Sequence, residues 1–129
     1  NREGVKNFFF LGPRTDVRSL LKAMDIYVCC SKNESSPLSL LEAMAMKKAI
    51  VSTDVGDFKN FINNGIDGFI VKNGDDNSLT NYLKKLIDDP KLRFDLGESA
   101  RKIVKDKFDL KICLDNHLEM YQKIVNHYK

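Results

Sequence analysis

The sequence predicts an α/β domain: a parallel sheet with helices on both faces, followed by a helical C-terminus. Three observations carry this. Short runs that are apolar at every position recur as far as residue 72, and a strand apolar throughout has to be covered on both sides, which is the condition of a parallel sheet. Segments with helical spacing separate those runs, as in alternating βα units. Beyond residue 76 the apolar period becomes helical and stays so. The chain has 129 residues, 43% of them hydrophobic and 30% charged, which predicts one globular domain over residues 1–129.

Phe8-Phe9-Phe10-Leu11, ended by Gly12-Pro13, reads as the first strand. Asp16–Met24 reads as a helix, with Val17, Leu20, Leu21 and Met24 in register and Asp16 as N-cap. Ile26–Cys30 is a second buried strand, Pro37–Met46 a helix, and Ala49–Ser52 a third strand. Phe58–Ile62 is a short helix and Gly68–Val71 the fourth strand. Leu79, Tyr82, Leu83, Leu86 and Ile87 mark a helix stopped by Asp89-Pro90. The next carries Leu92 and Leu96 and is interrupted or ended by Gly97, after which Ile103, Val104 and Phe108 resume the pattern. Ile112–Ile124 is a long final helix with Leu114, Leu118, Tyr121 and Val125 on one face. In the doubly wound order 3-2-1-4-5-6 the four strands correspond to strands three to six. The first would then pair directly with Ile26–Cys30 through a right-handed crossover made by Asp16–Met24, or a second chain would fill the gap between them.

Several function classes drop out on composition. A net charge of +3 arises from 21 basic and 18 acidic residues interspersed along the chain, not from the clustered stripe that nucleic acid requires. The Lys102–Lys107 tract reads as a solvated helix face. No apolar run is long enough to span a bilayer. The residues before Phe8 lack the apolar stretch of a secretion leader. The first residue is Asn1, as in a processed product or part of a longer polypeptide. Cys29, Cys30 and Cys113 have no metal-ligand spacing; Cys29 and Cys30 read as small buried hydrophobes in a reducing cytoplasm. His117 and His127 read as surface residues of the last helix.

Ligands of parallel sheets bind at the carboxyl ends of the strands, so the loops to inspect are Gly12–Thr15, Ser31–Ser36, Thr53–Asp57 and Val71–Asp76. The second is the most informative. Ser36 is a good N-cap and Pro37 suits the first helical position. The amides of Leu38 and Ser39 then lack intrahelical partners and form an anion site suited to phosphate. Glu42 is the only charge in an otherwise apolar helix, which predicts a buried carboxylate in need of donors. The two hydroxyls of a ribose would supply them; so would a nearby Lys or backbone amides. Glu34, eight positions earlier, is either a solvated loop residue or a second contact to the same ligand.

Glu34-x7-Glu42, running on as Leu41-Glu42-Ala43-Met44-Ala45, resembles the E-x7-E signature of retaining GT-B glycosyltransferases of the family 4, group 1 type. The surroundings agree in order and spacing. Phe10-Leu11-Gly12 followed by Asp16-Val17 is similar to the family's F-L-G…D-V segment, and Ala23–Ser31 resembles its hydrophobic strand ending in Ser. Ile50–Gly56 with Gly65–Val71 resembles its V-x-T-x-x-G…G-x-x-G run, and Leu96-Gly97-x-x-Ala100-Arg101 with Phe108 resembles its late helices. There are departures. Cys30 stands where the family often has Pro, and Gly56-Asp57-Phe58-Lys59-Asn60 stands where it often has G-G-x-P-E.

The resemblance implies a Rossmann-like fold and a partial GT-B C-terminal domain with a nucleotide-sugar site. It implies Glu42 on the ribose hydroxyls, Glu34 as the catalytic-site carboxylate on the donor sugar, and the backbone at Pro37, Leu38 and Ser39 on sugar and diphosphate. It sets the turn of Gly12 and Arg14 near the base, where a plain strand end is the other reading. It implies no metal and no cofactor beyond the donor substrate. The Arg and Lys that neutralise the diphosphate would precede this stretch. A glycan or lipid acceptor would sit on an N-terminal domain, with room for a peripheral membrane contact of the full-length protein. On this reading the chain alone does not turn over. A non-catalytic nucleotide-sugar-binding module and a sugar-nucleotide epimerase on the same fold are the alternatives.

Overall fold

The computed structural model describes residues 6–35 and 38–128. Strands β1 (Ile26–Cys29), β2 (Ala49–Thr53) and β3 (Phe69–Val71) form one parallel sheet in the order β1-β2-β3. Ile26 lies opposite Ala49, and Val51 opposite Phe69. Helix α1 (Val17–Ala23) precedes β1, α2 (Leu38–Ala45) connects β1 to β2, and α3 (Phe58–Phe61) lies between β2 and β3. Helices α4 (Asp76–Asp88), α5 (Pro90–Lys107) and α6 (Leu110–His127) follow.

The double cover read from the apolar runs is clearest at β2, where all five residues are buried. Their side chains alternate between two cores. Ile50 packs with Leu40 and Met44 of α2, Val55, Phe58, Ile62 and Ala100. Ala49 and Val51 face the other way, onto Phe69, Val71, Leu86 and Leu96. β1 is an edge strand of the described sheet and is only half-buried, with Val28 exposed. The second core holds a stacked pair, Phe69 and Tyr82, with ring centroids 4.2 Å apart.

The run Phe8–Leu11 is not a strand. Its four side chains are 59, 78, 91 and 56% exposed, and its backbone is irregular. The direct pairing with β1 that the crossover would allow does not form. A four-residue apolar run becomes a strand only where a neighbour supplies a ladder for its N–H and C=O groups. Among the described residues no strand flanks β1 on the side away from β2.

Two helix starts are set by aspartate side chains. Asp75 accepts from the amide of Ser78 at 3.0 Å and Asp89 from that of Leu92 at 2.8 Å, opening α4 and α5. Pro90 occupies the first turn of α5, where its missing N–H costs nothing. The end of α2 is tied off differently. The amide of Lys48 bonds the carbonyl of Ala43, the amide of Lys47 bonds that of Met44, and Lys47 itself is left-handed at φ 58°. This is the paired C-terminal closure that usually employs glycine.

Gly97 neither interrupts nor ends a helix: α5 runs unbroken from Pro90 to Lys107 with Gly97 buried in its middle. The reason is a close approach. A Cβ at Gly97 would lie 2.2 Å from the carbonyl oxygen of Lys47. Around this contact, Lys47 pairs with Glu98 at 2.5 Å, and Arg101 donates to the carbonyl of Ala45. α5 is thereby pressed onto the turn that leads from α2 into β2.

α6 differs from the other long helices. It has no buried residue, and the face of Leu114, Leu118, Tyr121 and Val125 is exposed. The Lys102–Lys107 tract is solvated at Lys102, Lys105 and Lys107, as read from sequence.

Replacing Gly97 by Ala sets two effects against each other. Ala gains about 1 kcal/mol of helix propensity, while its methyl group meets backbone that cannot rotate away. The clash should win, with a net loss of about 1–3 kcal/mol, as in overpacked cores. A urea melt should show a lower midpoint at unchanged slope.

Candidate functional site

α2 leaves the end of β1 and returns to the start of β2, so it runs antiparallel to the strands. Its first residues therefore lie at the carboxyl ends of the sheet. Ser36 and Pro37, the expected cap and first helical residue, lie outside the described residues. Leu38 and Ser39 open the helix and are exposed. The Ser39 hydroxyl accepts from the Tyr27 hydroxyl at 2.8 Å. Burial pushes the Tyr27 pKa up and the bond to Ser39 opposes it, so Tyr27 remains a donor and the start of α2 is pinned to β1.

Glu42 is exposed, not buried. α2 turns Leu40, Ala43 and Met44 to the core, and Leu38 and Glu42, four residues apart, share the opposite side. The nearly all-apolar composition misleads because an outward position carries an apolar residue as well: Leu38 is 70% exposed. Glu42 lines a cleft of about 150 Å³ between α1 and α2, with Val17, Arg18, Leu21, Ala45 and Met46. Its carboxylate faces open space that a ligand can enter and does not need an internal donor.

Glu34 is exposed on the loop after β1, and its Oε1 accepts from the Ser31 hydroxyl at 2.7 Å. The loop is anchored to the end of β2. The nearly buried Thr53 donates its hydroxyl to the Ser31 carbonyl at 2.7 Å, with a longer 3.4 Å approach to the Cys29 carbonyl. Gly56, at φ 52°, backs onto Glu34 so closely that a Cβ there would lie 2.3 Å from the Glu34 carbonyl oxygen. Thr53 and Gly56 fall in the V-x-T-x-x-G stretch, but their work on the neighbouring loop is invisible to any one-dimensional reading.

Gly12 and Arg14 lie in an exposed turn before α1. The Arg14 guanidinium grips Asp16 with two bonds, Nε to Oδ1 at 2.7 Å and Nη2 to Oδ2 at 2.6 Å. Each partner favours the other's charge, which holds the Asp16 carboxyl below the usual range and Arg14 above its own. Asp16 does stand at the N-cap of α1, yet its side chain makes no capping bond because Arg14 occupies both oxygens. Among the described residues no hydrogen bond links this turn, Glu34 and Glu42 to one another.

A second cleft, of about 280 Å³, opens at the carboxyl ends of all three strands. Cys30, Lys32, Thr53, Lys72, Asp75 and Asp76 are among its walls. The loops that bear them were legible from the strand ends, but, Cys30 apart, the individual residues were not singled out. Cys30 is exposed here, contrary to its reading as a buried hydrophobe, because it lies one residue past β1. Cys29 within the strand is half-buried. Among the described residues no cluster of three or more His, Cys, Asp or Glu could hold a metal ion. Nor is any helix of theirs long and apolar enough to cross a membrane.

The chain as a whole is similar to known proteins. Residues 1–103 match the family described as glycosyl transferases group 1, and the chain belongs to that family. It is 34% identical over 116 residues to the N,N'-diacetylbacillosaminyl-diphospho-undecaprenol alpha-1,3-N-acetylgalactosaminyltransferase of Campylobacter jejuni, a match covering 90% of this chain and 31% of that protein. Among solved structures, the C-terminal domain of the glycosyl transferase group 1 protein LpcC from Francisella tularensis superposes with a TM-score of 0.71 at 30% identity. That match covers 80% of this chain and 53% of the other. HepE of Anabaena, solved in complex with UDP-glucose, superposes with a TM-score of 0.84 at 25% identity, covering 95% of this chain and 34% of that one. The chain thus spans about a third of the length of the Campylobacter relative. The fold is that of a partial GT-B C-terminal domain, as the sequence resemblance implied.

Gly56→Ala tests the anchoring of the loop. A left-handed non-glycine residue costs about 1–2 kcal/mol by itself, and the methyl group would also push on the Glu34 carbonyl. Stability should fall by at least that amount, and amide hydrogen exchange in residues 31–35 should accelerate more than exchange in β2.

Proposed function

We propose that this chain is the donor-binding part of a retaining glycosyltransferase, which moves a sugar from a nucleoside diphosphate to a glycan or lipid acceptor. The observation that carries the reading is the exposed start of α2 at the carboxyl ends of the sheet, with Glu34 on the adjoining loop and Glu42 one turn into the helix. The Campylobacter relative, whose name specifies an undecaprenol-linked acceptor, and the UDP-glucose held by HepE support it.

On this reading the amides of Leu38 and Ser39 and the positive end of the helix receive the diphosphate. Glu42 accepts from two ribose hydroxyls, for which its exposure in the α1–α2 cleft leaves it free. Glu34 accepts from hydroxyls of the donor sugar and sets its orientation. The reading also assigns the backbone at Pro37, which is outside the described residues, to the diphosphate, and the turn of Gly12 and Arg14 to the base. In the transfer the bond between the anomeric carbon and the phosphate oxygen breaks and the nucleoside diphosphate leaves as an anion. The acceptor hydroxyl oxygen bonds to that carbon, and its proton is taken up by the departing diphosphate or by solvent. Stabilising the developing charge on the leaving group is the main electrostatic task. We assign it to the helix terminus and to basic side chains of the longer protein, without a metal. The proposal includes a single donor domain over residues 1–129, an acceptor domain elsewhere in the polypeptide and a cytoplasmic site of action. A peripheral membrane contact of the whole protein belongs to the case of a lipid acceptor.

In the full-length enzyme, Glu42→Gln should weaken nucleotide-sugar binding by about 1.5–3 kcal/mol, the range for hydrogen bonds to a charged group. Titration calorimetry that finds the same affinity in both proteins would remove Glu42 from the site. The 129-residue chain alone should bind nucleoside diphosphate only in the millimolar range, about −4 kcal/mol. Micromolar binding would place the main affinity determinants here and not in the rest of the protein.

A further inference from the structure

We propose that Ser31 and Thr53 are positioning residues for Glu34: together they carry the rigidity of the central strand out to a carboxylate on an exposed loop. The inference rests on the reading of Glu34 as the contact to the donor sugar, and concerns what makes that contact productive.

Glu34 has no secondary structure of its own to hold it. It lies on an irregular loop, and the side chain is exposed. A carboxylate that must orient a sugar has to be held to within about half an ångström, and loops do this only with support from beneath. The support is present as a connected series of hydrogen bonds. Thr53 is the last residue of β2, the strand buried on both faces, and is itself 5% exposed. Its hydroxyl donates to the Ser31 carbonyl at 2.7 Å, which fixes the backbone where the loop leaves β1. The Ser31 hydroxyl donates to Glu34 Oε1 at 2.7 Å and receives the Cys29 thiol at 3.5 Å. That uses the one proton Ser31 owns and leaves Oε2 of Glu34 for a ligand hydroxyl. Gly56 closes the loop from the other side, against the Glu34 carbonyl.

The geometry explains why these side chains are hydroxyl-bearing. Valine at 53 would have the same shape but no proton for the Ser31 carbonyl. Alanine at 31 would leave Glu34 tethered only through its backbone. Neither residue is placed on the donor in the reading above, so neither is a catalytic residue. Their effect passes through Glu34.

The test uses the full-length enzyme with UDP-glucose and GDP-mannose as donor probes and UDP and GDP as sugar-free controls. Ser31→Ala should lower kcat by about tenfold or more, the scale of one hydrogen bond to a charged group, and Thr53→Val by up to about tenfold, the scale of one to a neutral carbonyl. Affinity for the sugar-free diphosphates should stay unchanged. Thr53→Ser, which keeps the hydroxyl, should restore the rate. In a Glu34→Gln background Ser31→Ala should cause little further loss, because its partner charge is already gone. Additive losses in that double variant, or equal losses in the binding of UDP or GDP alone, would overturn the proposal. If Thr53→Val lowers the melting temperature, the double-variant cycle at Ser31 decides, since Ser31 is only half-buried and its hydroxyl faces the exposed Glu34. A wild-type protein that binds none of the four probes would overturn the donor reading and this inference with it. Wild-type transfer with additive Ser31 and Glu34 effects would overturn this inference alone.

Discussion

The contact on which the rest of the molecule depends is the meeting of two backbones where α5 crosses the end of α2. Gly97 lets the helix approach the carbonyl of Lys47 to a distance no side chain would permit. Glu98 and Arg101, one and four residues on, then take hold of Lys47 and of the Ala45 carbonyl. Because α5 also supplies Leu96 to one core and Ala100 to the other, this single crossing links both faces of β2. It fixes the C-terminal end of α2, at the amino ends of the strands. The N-terminal end, where a ligand would sit, is aimed by that anchorage and by the Tyr27–Ser39 bond.

The candidate site is accordingly built by division of labour along β2. The amino end of the strand receives the anchor, the middle fills both cores, and the carboxyl end sends Thr53 and Gly56 to the Glu34 loop. A strand covered on both sides is the least mobile element available. Attaching a polar loop to its end is a way to make exposed groups precise without burying them. That matters for Glu34 and Glu42, which must stay accessible to bind anything.

How much of this could be read in the sequence follows from which interactions are local. The run Ala49–Ser52 and the turn residues behind it announced the central strand because apolar periodicity and turn chemistry are local properties. The pair Asp89-Pro90 was visible as a boundary, but the capping roles of Asp75 and Asp89 emerge only in the structure. Phe8–Leu11 misled because strand formation is a property of pairs, and its composition says nothing of whether a neighbour exists. Gly97 misled because the breaker reading and the close-approach reading of glycine are identical in one dimension. Glu42 was assigned the right helix and the wrong burial, since the exposed Leu38 makes an outward face look like an inward one. The ties from Thr53 to Ser31, and from Gly56 to Glu34, span 22 residues each (53 − 31 and 56 − 34). They come into being only when β1 and β2 are side by side.

α6 has a consequence for how the chain comes apart. Its half-buried residues, Ile112 and Cys113, lie in the first turn, and the remainder of its 18 residues is exposed. The last firm hold before it is Phe108, whose ring lies 5.0 Å from that of Phe61. A helix attached in this way has almost no burial energy in common with the two cores. Its opening and closing form a separate equilibrium, close to that of a free peptide helix and well below the cost of global unfolding. A protease would meet α6 as a frayed tail, and removing it would leave the two cores as they are.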